Sequence, residues 1–318
     1  MIGFTRHDDI REARPLIQRC IDVFGWSPEH NADYFFHSAE PDLQNIFFDT
    51  PEGWGLLAQV SDAQWYLFAE PLAPKEKRAD MLTAFSQAAF ASAETKKVVM
   101  ELTSESRRDF LKKLHPVRSS PARRDETSNG VYSDLRSSAI TETFLWPVLD
   151  LKKHDSAYSG SRYKSLRNMQ NRFLREHRVG VKKAADIGKD ELHDLIRRWE
   201  KGRRASHQSV SGAYHAVVDD NFAGTIGARV LMIDGRPEAL MAGWLIPNSK
   251  TYYMAISLHS YAHWGLGEIS LMEDLRWMKE QGFAAGDLGG SDKKLFAFKR
   301  QFGDVSTYKT HQFSVVRK

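Results

Sequence analysis

The chain is 318 residues long, 42% hydrophobic and 27% charged, with a formal net charge of +4. That length suits about two domains; no apolar run approaches the roughly 18 residues of a membrane span, and the amino terminus lacks a signal-peptide core. The one cysteine, Cys20, excludes an internal disulfide and a cysteine-based metal site, and it points to a reducing, cytoplasmic setting.

Apolar residues at helical spacing (Ile10, Ala13, Ile17, Ile21, Phe24) predict a helix over residues 9–24, with a half-buried Cys20, stopping at Gly25. Strands follow over 55–60 and 65–69 around a short polar turn, then a helix over 75–93, a strand over 97–102 and a capped helix that begins after Ser104 and runs to residue 114. Residues 118–129 are polar and proline-interrupted and read as a loop. Residues 143–149 return as a strand, in which Pro147 marks an edge or a bulge.

The second half begins with a basic helix over 161–177 and a strand over 179–184, followed by helices over 189–204 and 214–222. Strands over 228–233 and 239–246 flank Asp234-Gly235, a hairpin turn pair. A strand over 251–258, a helix over 267–281, a strand over 285–288, a short helix and a last strand over 307–316 complete the chain. Charge is uneven along it. Between Lys152 and Lys183 ten lysines and arginines stand against only Asp155 and Glu176, which calls for an anionic partner such as phosphate. On the basic helix Lys164, Arg167, Asn171, Arg175 and Arg178 share one face, and Leu166, Met169, Phe173 and Leu174 form the buried side.

The most informative stretch is Asp287-Leu-Gly-Gly-Ser-Asp-Lys-Lys-Leu-Phe-Ala-Phe-Lys-Arg-Gln-Phe-Gly303. It reads as a strand, a glycine-serine turn and a helix that Ser291 caps, with Leu295, Phe298 and Phe302 as an apolar stripe. Lys299 lies beside that stripe, so its ammonium is carried towards the sheet edge. The stretch resembles the end of the acyltransferase domain in phosphatidylglycerol lysyltransferase-like (DUF2156) and Fem-type aminoacyltransferases, where such a segment follows the fifth strand of a GNAT fold. Arg167, Asn171, Phe173 and Arg175-Glu176 resemble the helix that opens the same domain. The order of elements is also similar to a GNAT domain in the second half and more weakly in the first. The resemblance covers roughly residues 142–305 and implies an α/β (α+β) protein of tandem GNAT-like domains, each a mixed, mostly antiparallel sheet flanked by helices. Residues 1–140 would be degenerate and 141–318 catalytic.

What the resemblance implies about function is transfer of an amino acid from aminoacyl-tRNA to an amine or hydroxyl of a small molecule, peptide or lipid headgroup, with no tightly bound cofactor. Acyl-coenzyme A as donor, and a non-catalytic module that binds RNA or another anion, are the alternatives. Such a reaction needs a base for the nucleophile and donors aimed at the forming oxyanion. The resemblance gives Lys299 the second role. Asp287, Glu268, Asp292 and Tyr253 lie near strand ends where a base would sit. The glycines of His263-Trp-Gly-Leu-Gly267 open a helix, where backbone N–H groups meet an anion. Gly265 and Gly267, with Ser291, Arg167, Asn171, Arg172, Arg175 and Phe298, are therefore the candidate donor-binding residues. Trp264, Trp277 and Trp244 read as packing residues. The histidines show no ligand spacing, so no metal is expected.

Overall fold

The computed structural model describes residues 2–40, 42–61, 63–114, 134–203 and 211–318. They form two compact units, Met1–Phe144 with Tyr308–Lys318, and Leu145–Thr307. In chain order the first contains β1 (Thr5–His7), α1 (Arg14–Phe24), α2 (Ala32–His37), β2 (Gln44–Asp49), β3 (Gly55–Val60), β4 (Gln64–Leu67), α3 (Arg78–Phe90), β5 (Lys97–Thr103), α4 (Ser104–Leu114) and β6 (Leu135–Ser137). Strand β7 (Glu142–Asp150) carries the chain into the second unit. There follow α5 (Lys164–Glu176), β8 (Val179–Lys183), α6 (Lys189–Gly202), α7 (Ser211–Asp219), β9 (Ile226–Ile233), β10 (Arg236–Leu245), β11 (Thr251–His259), α8 (Leu266–Glu280), β12 (Ala285–Asp287), α9 (Lys293–Lys299) and β13 (Val305–Arg317). The last residues of β13 belong to the first unit again. The loop expected over 118–129 and the end of the helix expected to reach Arg204 lie outside the described residues.

Unit 1 is built on a sheet of order β1-β2-β3-β4-β5-β13, with β6 also on β13; β4 and β5 are parallel and the remaining neighbours antiparallel. Alternation sets the faces: in β5, Val98, Met100 and Leu102 are buried while Lys97, Val99 and Glu101 are only partly so. Helix α1 starts later than the apolar spacing suggests. Pro15 has no N–H to give and so favours the first turn, while Asp9 accepts from the backbone N–H of Arg11 (2.9 Å) and Glu12 (3.2 Å) in the turn before it. Cys20 is fully rather than half buried, its thiol on Gly53 O at 3.2 Å and pushed up to about 11 by burial.

Unit 2 has sheet order β7-β12-β11-β10-β9-β8, in which only β11 and β12 run parallel. The Asp234-Gly235 turn is as expected: both residues have positive φ (52° and 87°), the conformation a two-residue hairpin needs. Helices α5 and α8 share a core with the sheet, through Leu166, Met169 and Phe173 on one and Leu271, Leu275 and Met278 on the other. Leu174 is not on that buried side but half exposed, and Arg178 lies past the helix end. Both units are thus mixed, mostly antiparallel sheets flanked by helices, the tandem GNAT-like architecture expected.

Candidate active site

Strands β11 and β12 pair only from Thr251↔Ala285 to Tyr253↔Asp287, and β11 runs on alone to His259 on that side. A bulge accompanies the parting. Ala242 faces Ile256 and Trp244 faces Tyr253, so Met254 and Ala255 together oppose Gly243. Only glycine fits there, because a Cβ would lie 2.0 Å from the carbonyl oxygen of Tyr253.

The closing segment folds into this gap. Asp287, fully buried, accepts from Gly289 N at 2.9 Å and stabilises a turn in which Gly289 has φ +80°. Ser291 does not cap the following helix; its hydroxyl donates to Gly289 O (3.0 Å), and the cap is Asp292, which accepts from Leu295 N at 2.7 Å. The expected apolar stripe is also rearranged. Leu295 is 43% exposed and Phe298 only partly covered, against Phe302 at 5.3 Å, while the one buried residue of α9 is Lys299.

The Lys299 ammonium donates to Leu288 O and to Gly289 O (3.2 Å), the carbonyls that follow β12. Burial pushes its pKa down to about 8, with Asp287 and Asp292 pulling the other way. An ammonium has three protons to give, so a positive charge close to its titration point sits where the strands part. A Cβ at Gly289 would lie 3.7 Å from the Tyr253 ring, 3.8 Å from Lys299 Nζ and 3.8 Å from Met254 O, so the three converge on this glycine. Tyr253 is backed by Trp244 (ring centroids 5.3 Å) and Trp146 (6.0 Å), and Trp146 in turn presses on Gly290. Sequence reasoning does not single out Gly289 or Trp146; a tryptophan inside an apolar strand carries no signal beyond packing.

A second group of candidates gathers where α5 meets the loop before α8. Gly265, φ +86°, opens α8 with no side-chain cap, but its Cβ direction points at Met169 (2.8 Å), and that of Gly267 at the His259 ring (3.1 Å). Internal packing therefore accounts for both glycines. Arg167 is held by the carbonyls of Tyr158 and Gly160 (2.7 Å) and ties down the turn before α5 rather than sharing an open face. Arg172 pairs with Glu176 at 2.8 Å and lies over the Trp264 ring at 5.4 Å; Asn171 and Arg175 are exposed. Glu268 is half-buried in the first turn of α8. Trp264 is no packing residue, being 70% exposed, whereas Trp244 and Trp277 are packed. Among the described residues no group of three or more His, Cys, Asp or Glu is arranged to hold a metal ion, and no helix is long and apolar enough to cross a membrane.

Residues 160–300 match the family described as acetyltransferase (GNAT) domain. No curated protein matches the chain. Solved structures of similar fold include the C-terminal domain (DUF2156) of a putative lysylphosphatidylglycerol synthetase from Agrobacterium fabrum, 16% identical, with 95% of this chain and 91% of that one covered and a TM-score of 0.63. A tandem GNAT protein from the clavulanic acid biosynthesis pathway is 12% identical over 100% and 98% of the two chains, TM-score 0.57. FemX is 10% identical over 98% and 97%, TM-score 0.58. At such identities the likeness is one of fold.

Proposed function

We propose that residues 141–318 form an acyltransferase domain that moves an amino acid from aminoacyl-tRNA to an amine or hydroxyl of a small molecule, peptide or lipid headgroup, with residues 1–140 as a degenerate GNAT-like domain. The observation that carries this reading is the buried Lys299 ammonium where β11 and β12 part. In the reaction the acceptor's nitrogen or oxygen attacks the ester carbonyl and the carbonyl oxygen gains charge. The ester C–O bond then breaks, and the proton lost by the acceptor ends on the ribose hydroxyl that leaves. Lys299 opposes the charge on the carbonyl oxygen, an interaction stronger in the transition state than in the ground state. Asp287 is a positioning residue that holds the Gly289 turn and steadies the Lys299 charge. The Tyr253 ring lies beside Lys299 at Gly289, and Ser291 and Phe298 brace the turn and the helix that follow.

The donor's phosphates fall to Arg172, Arg175 and Asn171, while Glu268 and the two glycines shape the loop beside them. The aminoacyl reading rests on the resemblance of the closing motif to lysyltransferase-like and Fem-type enzymes and on the same two groups recurring as neighbours in fold. One observation favours acyl-coenzyme A instead, the match of residues 160–300 to an acetyltransferase family. Against it stand the glycines turned to Met169 and His259 and an acidic side chain in the first turn of α8, where a pyrophosphate would sit.

Filter retention of mixed aminoacyl-tRNA and calorimetric titration with acetyl-coenzyme A separate the readings, followed by label transfer into cell-extract acceptors. Retention of tRNA with transfer is expected. Coenzyme binding without tRNA binding would overturn the donor assignment, and tRNA binding without transfer would leave a non-catalytic RNA-binding module.

A further inference from the structure

Trp264 has the largest exposed fraction of any large hydrophobic residue described, 70%. It is not the loose tip of a loop. Its neighbour His263 packs on His177 (ring centroids 4.6 Å) and Phe173 (6.4 Å), Gly265 is pressed on Met169, and Leu266 is fully buried. The backbone on both sides is anchored while the indole between is held out in water. Folding gains nothing from this, since burying an aromatic ring is favourable and exposing one forgoes that gain.

The surroundings narrow what the ring meets. The Arg172 guanidinium lies 5.4 Å from its centroid and is kept there by Glu176 at 2.8 Å. A cation already at the ring argues against a cationic ligand such as a quaternary ammonium, which would be repelled. A flat, uncharged π-face with a phosphate attached satisfies both groups at once: the base stacks on the indole and the phosphate meets the guanidinium. Tyr261, 55% exposed and three residues earlier, adds a second aromatic surface on the same loop.

We infer that Trp264 and Arg172 form a nucleotide platform that takes the adenine at the nucleotide end of the donor. This rests on the acyltransferase reading above and deepens it, because the two donors in contention share that chemistry: tRNA ends in adenosine and coenzyme A carries an adenosine phosphate. Trp264 is thus a donor-binding residue that acts by stacking, remote in role from the Lys299 charge.

The test measures the coupling between the ring and the base. An acceptor-stem RNA minihelix is titrated with and without its terminal adenosine, and acetyl-coenzyme A is compared with acetyl-phosphopantetheine, each against the full chain and against Trp264→Ala and Trp264→Phe. Loss of one stacked base is expected to weaken binding roughly 5- to 150-fold. Trp264→Ala should weaken whichever complete ligand is the donor by that factor and leave the truncated one unchanged, with Trp264→Phe close to the unchanged protein. If Trp264→Ala weakens complete and truncated ligands alike, or neither, the platform is wrong and the donor reading survives. If the unchanged protein binds none of the four ligands, both fail. Retention on anionic lipid vesicles that disappears in Trp264→Ala, with nucleotide binding intact, would overturn the proposal in favour of a membrane-facing ring.

Discussion

In unit 1, as in unit 2, a strand–helix–strand passage brings two strands parallel for a few residues and then lets them part: β4 and β5 pair from Gln64↔Lys97 to Tyr66↔Val99, β11 and β12 from Thr251↔Ala285 to Tyr253↔Asp287. What stands past the parting differs in chemistry. In unit 2 it is the Lys299 ammonium; in unit 1 it is the Glu70 carboxyl, buried, accepting from Thr103 N at 2.7 Å at the end of β5, and pushed up by burial. The segment into the helix differs as well. Ala69, Glu70, Leu72 and Ala73, before α3, are all buried, whereas before α8 Tyr261 and Trp264 face water. A growing oxyanion or a phosphate is stabilised by the lysine and repelled by the carboxylate. The same passage thus carries a buried ammonium, with Asp287 beside it, in one unit and a buried carboxyl in the other.

The comparison breaks most visibly at Lys299. Lys299→Met should lower the single-turnover transfer rate by roughly 10²–10³, the scale for losing one oxyanion donor. It should also cost about 1–3 kcal/mol in urea unfolding, because Leu288 O is left buried without its donor while Gly289 O keeps only the Ser291 hydroxyl. Glu70→Gln should leave the rate unchanged. Equal rate losses in the two variants would mean that the units do not divide the chemistry in this way.

Titration sharpens the same point. With Lys299 at about 8, the transfer rate should fall above that pH, approaching tenfold per unit as the charged fraction falls. Stability should move the other way. Between about 8 and 10.5 the unfolded lysine still binds a proton that the folded one has released, so unfolding becomes harder as pH rises across this window. A rate limb and a stability limb of the same sign would point to unfolding instead of loss of the working charge.

The distinction between the units is only partly legible in the sequence. The closing motif leads to Lys299 because its residues are contiguous and their order is unusual. Glu70 carries no such signal: it precedes Pro71 in a segment without a spacing rule, and its place at the end of β5 is set by a contact 33 residues away. Strand β2 and helix α2 escape the sequence pattern because Ile46-Phe47-Phe48 is too short an apolar run to show a period, and α2 has six residues. The face of α5 is misjudged at Arg167 and Leu174, since helical spacing cannot say that a guanidinium folds back onto carbonyls or that Leu174 is left half in water. Residue type alone assigns Trp264 to packing, and only its exposure corrects that.

The basic helix yields a smaller contrast. Arg172→Gln with Arg175→Gln should flatten the slope of log K against log salt for tRNA by about 0.7–0.9 for each phosphate that is no longer neutralised. Arg167→Gln should leave the slope alone and destabilise unit 2 by about 1–2 kcal/mol through the Tyr158 and Gly160 carbonyls it releases. A slope that follows Arg167 and ignores the other two would return it to the donor face.

The smallest effect is expected in unit 1. A carboxyl pushed up by burial keeps its proton in the folded chain at pH values where the unfolded chain, at its ordinary 4.5, has released it. The folded state then binds more protons, so stability falls as pH rises from 4.5 through the raised value and levels off above it. Glu70→Gln keeps the shape and an acceptor for Thr103 N but cannot ionise, so the downward slope should flatten, with stability near pH 4.5 within about 1 kcal/mol of the unchanged protein. Urea midpoints at closely spaced pH values read this directly. If the slope persists in Glu70→Gln, the buried Glu70 carboxyl is not the group that titrates there, and the contrast with Lys299 loses its footing.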